Sequence, residues 1–292
     1  MGITVQPLNA RSAINLYRRE WGPTGASTSV LMLHGHPGNA DCMSVFASAL
    51  DHECRLIAPD LRGYGRSRTS SCFSMTDHLI DLVALLDELA LERCLILGWS
   101  LGGILALELA LRYPERVQGL VLVATAARPV GSHPPTDLWD DLYTGVASIL
   151  NWIWPGWSWN IDTFGRRSLY RYLIQQHTPE TYHYLATAAV PAYLYTSGPA
   201  RQALRQALQQ RYSCLEHLPQ LAIPTLMMAA EQDLHITCQA SYETVKHLSH
   251  AEWICYSNTA HLFPWEIPQQ VQQDLQAWFI RQGWLSTPGY RE

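Results

Sequence analysis

Ser100 lies between two glycines in the run Leu97-Gly98-Trp99-Ser100-Leu101-Gly102-Gly103. A serine so flanked can be a nucleophile if its turn is sharp. The apolar run Cys94-Leu95-Ile96-Leu97 before it reads as a buried strand. The run Ile104-Leu105-Ala106-Leu107-Glu108-Leu109-Ala110 after it reads as a helix. Gly-x-Ser-x-Gly between strand and helix holds its serine on a strained turn, and side chains at Gly98 or Gly102 would strike neighbouring backbone. The start of the following helix then offers N–H groups to a developing oxyanion.

A hydroxyl at its ordinary pKa needs a base, and the base needs an orienting acid. Two downstream strands end in such groups. Pro224-Thr225-Leu226-Met227-Met228-Ala229 runs into Ala230-Glu231-Gln232-Asp233, and Trp253-Ile254-Cys255-Tyr256 runs into Asn258-Thr259-Ala260-His261. The chain order nucleophile, acid, histidine suits a nucleophile elbow. Asp233 and His261 are the expected partners of Ser100. Glu231 is the competing acid, but Asp233 stands further past the strand end, where a loop can reach across. An acid after Leu120-Val121-Leu122-Val123 is a second possible placement, and residues 124–136 contain none.

Val30-Leu31-Met32-Leu33 reads as another buried strand, followed by His34-Gly35-His36-Pro37-Gly38-Asn39. That loop can supply an oxyanion N–H from His36, with Leu101 as its partner donor. Pro37 lacks an N–H, and a cis bond before it suits so tight a turn. His34 and His36 also raise a metal reading. Two ring nitrogens without a third ligand nearby make a poor site, and no Cys-x-x-Cys or His-Glu-x-x-His pattern accompanies them.

The chain resembles the α/β-hydrolase superfamily over residues 29–125 and 219–282. The resemblance is carried by His34-Gly35-His36-Pro37-Gly38, Asp60-Leu61-Arg62-Gly63-Tyr64-Gly65-Arg66-Ser67, Gly98-Trp99-Ser100-Leu101-Gly102-Gly103, Asp233 and Ala260-His261. The His-Gly-x-Pro-Gly loop is similar to that of epoxide hydrolases and proline iminopeptidases. Epoxide hydrolases place Asp at the elbow, where this chain has Ser100. Proline iminopeptidases show Gly-Gly-Ser-Trp-Gly, which this elbow is not. The elbow looks more like that of pimeloyl-carrier-protein methyl ester esterases.

Composition agrees with an enzyme core. The 292 residues suit one α/β core with an insertion. A net charge of −5 without a basic stretch makes nucleic acid an unexpected partner. Seven scattered cysteines suggest reduced thiols, with Cys94 and Cys255 in buried strands, and a cytoplasmic protein is expected. The segment Met1-Gly2-Ile3-Thr4-Val5-Gln6-Pro7 lacks the features of a signal peptide. No apolar run approaches the roughly 20 residues of a membrane span.

Strands are expected near 3–8, 13–18, 29–34, 54–58, 94–98, 119–124, 224–229 and 252–257. Helices are expected near 40–50, 75–89, 101–113, 238–248 and 267–281. This alternation predicts an α/β-hydrolase fold: an eight-stranded, mostly parallel sheet with helices on both faces and an inserted helical cap. The core is assigned to 1–127 and 219–292 and the cap to 128–218. Asp60 and Arg62 read as loop-fixing residues, whereas Asp77 and Asp81 read as a solvated helix face.

The cap segment holds Trp139, Trp152, Trp154, Trp157 and Trp159, five of eleven tryptophans. The rings could pack cap on core, line an apolar pocket over Ser100, or touch a membrane interface. The pocket is the preferred reading, with Trp99, Trp154 and Trp157 as substrate contacts. Peripheral membrane contact through the Trp-rich cap is the lesser one. The expected activity is cleavage of a carboxylic ester of an apolar small molecule through an acyl-enzyme, with no metal or organic cofactor. The alternative is a proline iminopeptidase-like peptidase or amidase, with Glu180, Glu216 and Asp162 as candidate acids for a substrate ammonium.

Overall fold

The computed structural model describes residues 13–287, so the strand expected at 3–8 lies outside the described residues. In chain order the elements begin with β1 (Arg18–Trp21), β2 (Thr28–Leu33), α1 (Ser44–Leu50), β3 (Cys54–Pro59) and α2 (Met75–Glu88). They continue with β4 (Cys94–Trp99), α3 (Leu101–Arg112) and β5 (Val117–Val123). Five helices follow without a strand among them: α4 (Leu138–Ile153), α5 (Ser158–Thr163), α6 (Pro179–Tyr184), α7 (Val190–Leu194) and α8 (Gly198–Gln209). The chain then returns with β6 (Thr225–Ala230), α9 (Cys238–Lys246), β7 (Ala251–Tyr256), α10 (Phe263–Glu266) and α11 (Pro268–Arg281).

The described residues form a seven-stranded sheet in the order β1-β3-β2-β4-β5-β6-β7, not the eight strands expected. Only β1 is antiparallel; every other pairing is parallel. The strand expected at 13–18 starts instead at Arg18. The N–H groups before it are engaged elsewhere: Ile14 donates to Asp81 Oδ1 and Tyr17 to Ser67 Oγ, both at 2.9 Å.

The sheet is covered on both faces, and alternation along each strand divides its side chains between them. Val30, Met32, Leu95, Leu97 and Trp99 point to the side packed by Phe46, Leu50, Leu275 and Trp278 of α1 and α11. Leu31, Leu33, Cys94 and Ile96 point to the side packed by Leu82, Leu85, Leu105 and Leu109 of α2 and α3.

Two carboxylates expected on a solvated face are buried. Asp81 takes both Nε and Nη2 of Arg62, at 2.7 and 2.5 Å, so the pair neutralises itself inside the fold. Asp77 accepts from the Ser74 N–H at 2.7 Å and closes a capping box at the start of α2. Helical spacing puts both on the inner face, where a charge needs its partner. Asp60 is loop-fixing as expected, accepting from the N–H groups of Ala40 and Arg66 at 2.6 and 2.7 Å. Cys94 is buried, but Cys255 is exposed because β7 is the edge strand.

His78, in α2, packs against Phe73 and Tyr64. Burial lowers its imidazole from 6.5 to about 3. The folded chain therefore keeps it neutral while the unfolded chain protonates it below 6.5, and stability falls as pH drops through that range. Between pH 7 and pH 5 this one group costs about 2 kcal/mol. His78→Leu should flatten the acid arm of a urea-denaturation pH profile by that amount. An unchanged slope would assign the acid sensitivity to other groups.

Candidate active site

Ser100 stands at the end of the central strand β4 with φ +52° and ψ −115°. Neighbouring strands over-determine that turn. The Ser100 N–H donates to Val123 O on β5, and Thr125 Oγ1 donates to Ser100 O, both at 2.8 Å. A Cβ on Gly98 would sit 2.3 Å from Gly102 O, and one on Gly102 would sit 2.0 Å from Leu33 O. Both positions therefore require glycine, because the obstacle is backbone that cannot move aside.

The structure brings His261 and Asp233 to Ser100. His261 Nε2 lies 3.2 Å from Ser100 Oγ, and His261 Nδ1 lies 2.7 Å from Asp233 Oδ2. Asp233 and His261 are buried, whereas Ser100 is half-buried. Asp233 Oδ1 accepts from the N–H groups of His235 and Ile236 at 2.7 and 3.0 Å, which fixes the carboxylate plane. Glu231, the competing acid, is exposed.

The loop after β2 carries His34, Gly35 and His36, with a cis His36–Pro37 bond. A Cβ on Gly35 would lie 3.1 Å from Ser100 Cβ, so this loop borders the serine directly. Both ring nitrogens of His34 are occupied: the Leu61 N–H donates to Nε2 at 3.0 Å, and Nδ1 donates to Gly35 O at 2.8 Å. His36 Nδ1 pairs with the Tyr64 hydroxyl at 2.8 Å. Burial holds both imidazoles at about 4. They are neutral parts of the loop rather than a ligand pair. Leu101 is the first residue of α3, where N–H groups have no preceding turn to donate to.

Trp99 is buried between Trp265, at 4.6 Å edge to face, and His261, at 6.0 Å. The structure does not bring Trp154 and Trp157 to this point. Trp154 packs edge to face with Trp157 at 5.5 Å and Trp157 meets Trp159 at 4.9 Å, on the surface of the segment between β5 and β6. A cavity of about 480 Å³ between α2, α3 and α8 includes Leu101 in its lining, and one of about 720 Å³ beside β6 and α9 includes Asp233; Ser100 lines neither.

Sequence reasoning missed three neighbours. His235 lies edge-on to His261 at 4.9 Å, and its Nδ1 meets His133 Nε2. Glu266 is buried and accepts from the N–H groups of Ala260, Gln175 and Gln176, at 2.8, 2.8 and 2.5 Å. Burial raises its carboxyl, and those three N–H groups oppose the rise. One carboxylate thus joins the His261 loop to the segment between β5 and β6. Its place five residues after His261 in sequence gave no signal, because its donors come from a segment remote in the chain.

A family model described as alpha/beta hydrolase fold matches residues 28–160. A pimeloyl-[acyl-carrier protein] methyl ester esterase of Hamiltonella defensa is 25% identical over 265 residues, covering 85% of this chain and 90% of that one. The same-named protein of Pectobacterium carotovorum is 38% identical over 107 residues, covering 36% of this chain and 40% of the relative. Among solved structures, an enol-lactonase of Burkholderia xenovorans superposes with a TM-score of 0.70 at 18% identity, covering 91% of this chain and 96% of that one.

Glu266→Ala should leave the buried Ala260 N–H and the part-buried Gln175 and Gln176 N–H groups without their acceptor and lower unfolding stability by about 1–3 kcal/mol. Glu266→Gln should fall between, since its oxygen can still accept while its NH2 opposes one donor. Chemical denaturation ranks the three proteins. An alanine variant as stable as the parent would remove Glu266 from this role.

Proposed function

We propose, from the family-model match over residues 28–160 and the α/β-hydrolase fold, that the chain is an α/β-hydrolase that cleaves a carboxylic ester of an apolar small molecule with Ser100, His261 and Asp233. The observation that carries the reading is the placement of His261, with one ring nitrogen facing the hydroxyl and the other the buried carboxylate. His261 Nε2 takes the Ser100 proton as Oγ attacks the ester carbonyl. The same proton then goes to the departing alcohol, leaving an acyl-serine that water cleaves by the reverse sequence. Asp233 keeps the proton of the resting imidazole on Nδ1.

The carbonyl oxygen becomes an oxyanion during attack. The Ser100 N–H is already committed to Val123 O. We assign the stabilising donors to the N–H groups of Leu101, at the start of α3, and His36, on the loop beside Ser100. The core at 1–127 and 219–292 and a cap at 128–218 belong to the same reading. It is supported by the position of the helices between β5 and β6 and by the Glu266 bonds to Gln175 and Gln176.

The ester reading is preferred over an amine-recognising peptidase. The candidate acids for a substrate ammonium, Glu180, Glu216 and Asp162, are exposed, and Asp162 pairs with Arg166. The ester in the relatives' name, a pimeloyl-[acyl-carrier protein] methyl ester, sits on an acyl chain borne by a protein, whereas the class proposed for this chain is a free apolar ester.

Ser100→Ala should lower kcat by about 10⁴-fold or more while preserving the fold. Fluorophosphonate labelling should map to the Ser100 peptide, and a label elsewhere would reassign the nucleophile. Asp233→Asn should cost about 10³- to 10⁴-fold in kcat, by analogy with a misoriented base. Glu231→Gln should stay within about twofold, as exposed positions do. The reverse ranking would exchange the acids. A series of p-nitrophenyl esters assayed beside proline naphthylamide separates ester from peptide preference.

A further inference from the structure

Helix α4 is built inside out. Four of its polar residues face the protein and are satisfied there. Asp140 takes Arg171 at 2.7 Å, Thr144 Oγ1 accepts from the Leu169 N–H at 2.9 Å, and Ser148 meets the Tyr170 hydroxyl at 2.7 Å. Asn151 Nδ2 donates to Tyr182 O at 2.7 Å, while its Oδ1 accepts from the Gly156 N–H at 2.9 Å. These bonds fix the rotation of the helix. They force Leu138, Leu142, Ile149, Trp152 and Ile153 outward, with Leu138 85% and Trp152 67% exposed. Trp154, Trp157 and Trp159 extend the face toward α5. A soluble helix normally shows the opposite polarity, and an exposed apolar patch of this kind marks an interaction site.

Three features identify the occupant. Leu and Ile form the centre of the face and Trp its end, the arrangement of a helix lying in a lipid interface. The rim carries both signs. Asp137 and Asp141 are exposed at the start of α4, and Arg166 and Arg167 are exposed in the turn after α5 that packs on α4. That rim matches a headgroup bearing both phosphate and ammonium. The helix that carries the face is also linked to the site by a run of contacts. Asp140 binds Arg171, which lies over the Tyr172 ring; Tyr172 meets His133, His133 meets His235, and His235 meets His261. No helix among the described residues is long and apolar enough to cross a membrane, so contact would be in the plane of the surface.

We propose that the outer face of α4, with the Trp154–Trp159 segment, docks on a zwitterionic phospholipid surface. Docked there, the protein would meet apolar esters where they dissolve. That delivery role rests on the ester reading above; the docking itself does not.

The test uses the full chain with vesicles of phosphatidylcholine, followed by co-sedimentation and tryptophan emission. The parent should sediment with the vesicles and its emission should shift to the blue. Ile149→Glu and Trp152→Glu should each weaken partitioning by about tenfold or more, the worth of burying one large apolar side chain. Both substitutions are at exposed positions, and turnover of soluble p-nitrophenyl acetate should stay within about twofold. Four results would overturn the proposal: no partitioning by a folded parent, equal partitioning by both variants, binding only to phosphatidylglycerol vesicles, or a dimer that Ile149→Glu splits without any vesicle binding. Vesicle binding by a protein that lacks esterase activity would sink the delivery role alone.

Discussion

The approach of backbone to backbone around the elbow is the constraint on which the rest of the site depends. Gly102 passes so close to the end of β2 that a Cβ would sit 2.0 Å from Leu33 O. That contact ties the first turn of α3 to the strand carrying the His34–His36 loop. Parallel pairing of β2 with β4 sets the two strand ends level, with Leu33 opposite Gly98. Ser100 and the His34–His36 loop are thereby positioned by one feature of the sheet. The positive φ of Ser100 is held by bonds from β5 and from Thr125, so the surrounding structure over-determines the strain.

Buried carboxylates organise the loops around that centre. Asp60 fixes two loops by their N–H groups, Asp81 holds Arg62, and Glu266 joins the His261 loop to the helices between β5 and β6. Each is nearly sealed from water, where an ionised group is tolerated only with its partners in place. A charge that must be fully paired accepts few alternative loop conformations. Asp233 follows the same logic, with two backbone donors on one oxygen and His261 on the other.

The segment between β5 and β6 obeys a different rule. Within it, α4 spends Ser148, Asn151 and Asp140 inward on Tyr170, Tyr182 and Arg171, and leaves Leu138, Leu142, Ile149, Trp152 and Ile153 outside. The hydrogen bonds decide this, since turning α4 over would take Arg171, the Leu169 and Gly156 N–H groups and the Tyr182 carbonyl away from their partners. The exposed tryptophans are a consequence of that fixed rotation.

The elbow, the chain order of Ser100, Asp233 and His261, and the parallel core were legible in the sequence, because each is a local pattern. Strand runs are short and apolar, turns need glycine, and acids and histidines follow strand ends. That Asp233 rather than Glu231 faces His261 was legible for the same reason, since distance from a strand end is counted along the chain. What tertiary structure decided was the facing of side chains. Asp77 and Asp81 share a helix face by spacing, but only packing against Arg62 and the Ser74 turn makes that face an inner one. Glu266 gained its role from Gln175 and Gln176, about ninety residues away. Trp154 and Trp157 are apolar in sequence, and apolarity alone does not say which way a ring points. Local patterns fix elements and their ends, whereas the facing of a side chain depends on partners that only the folded chain brings near.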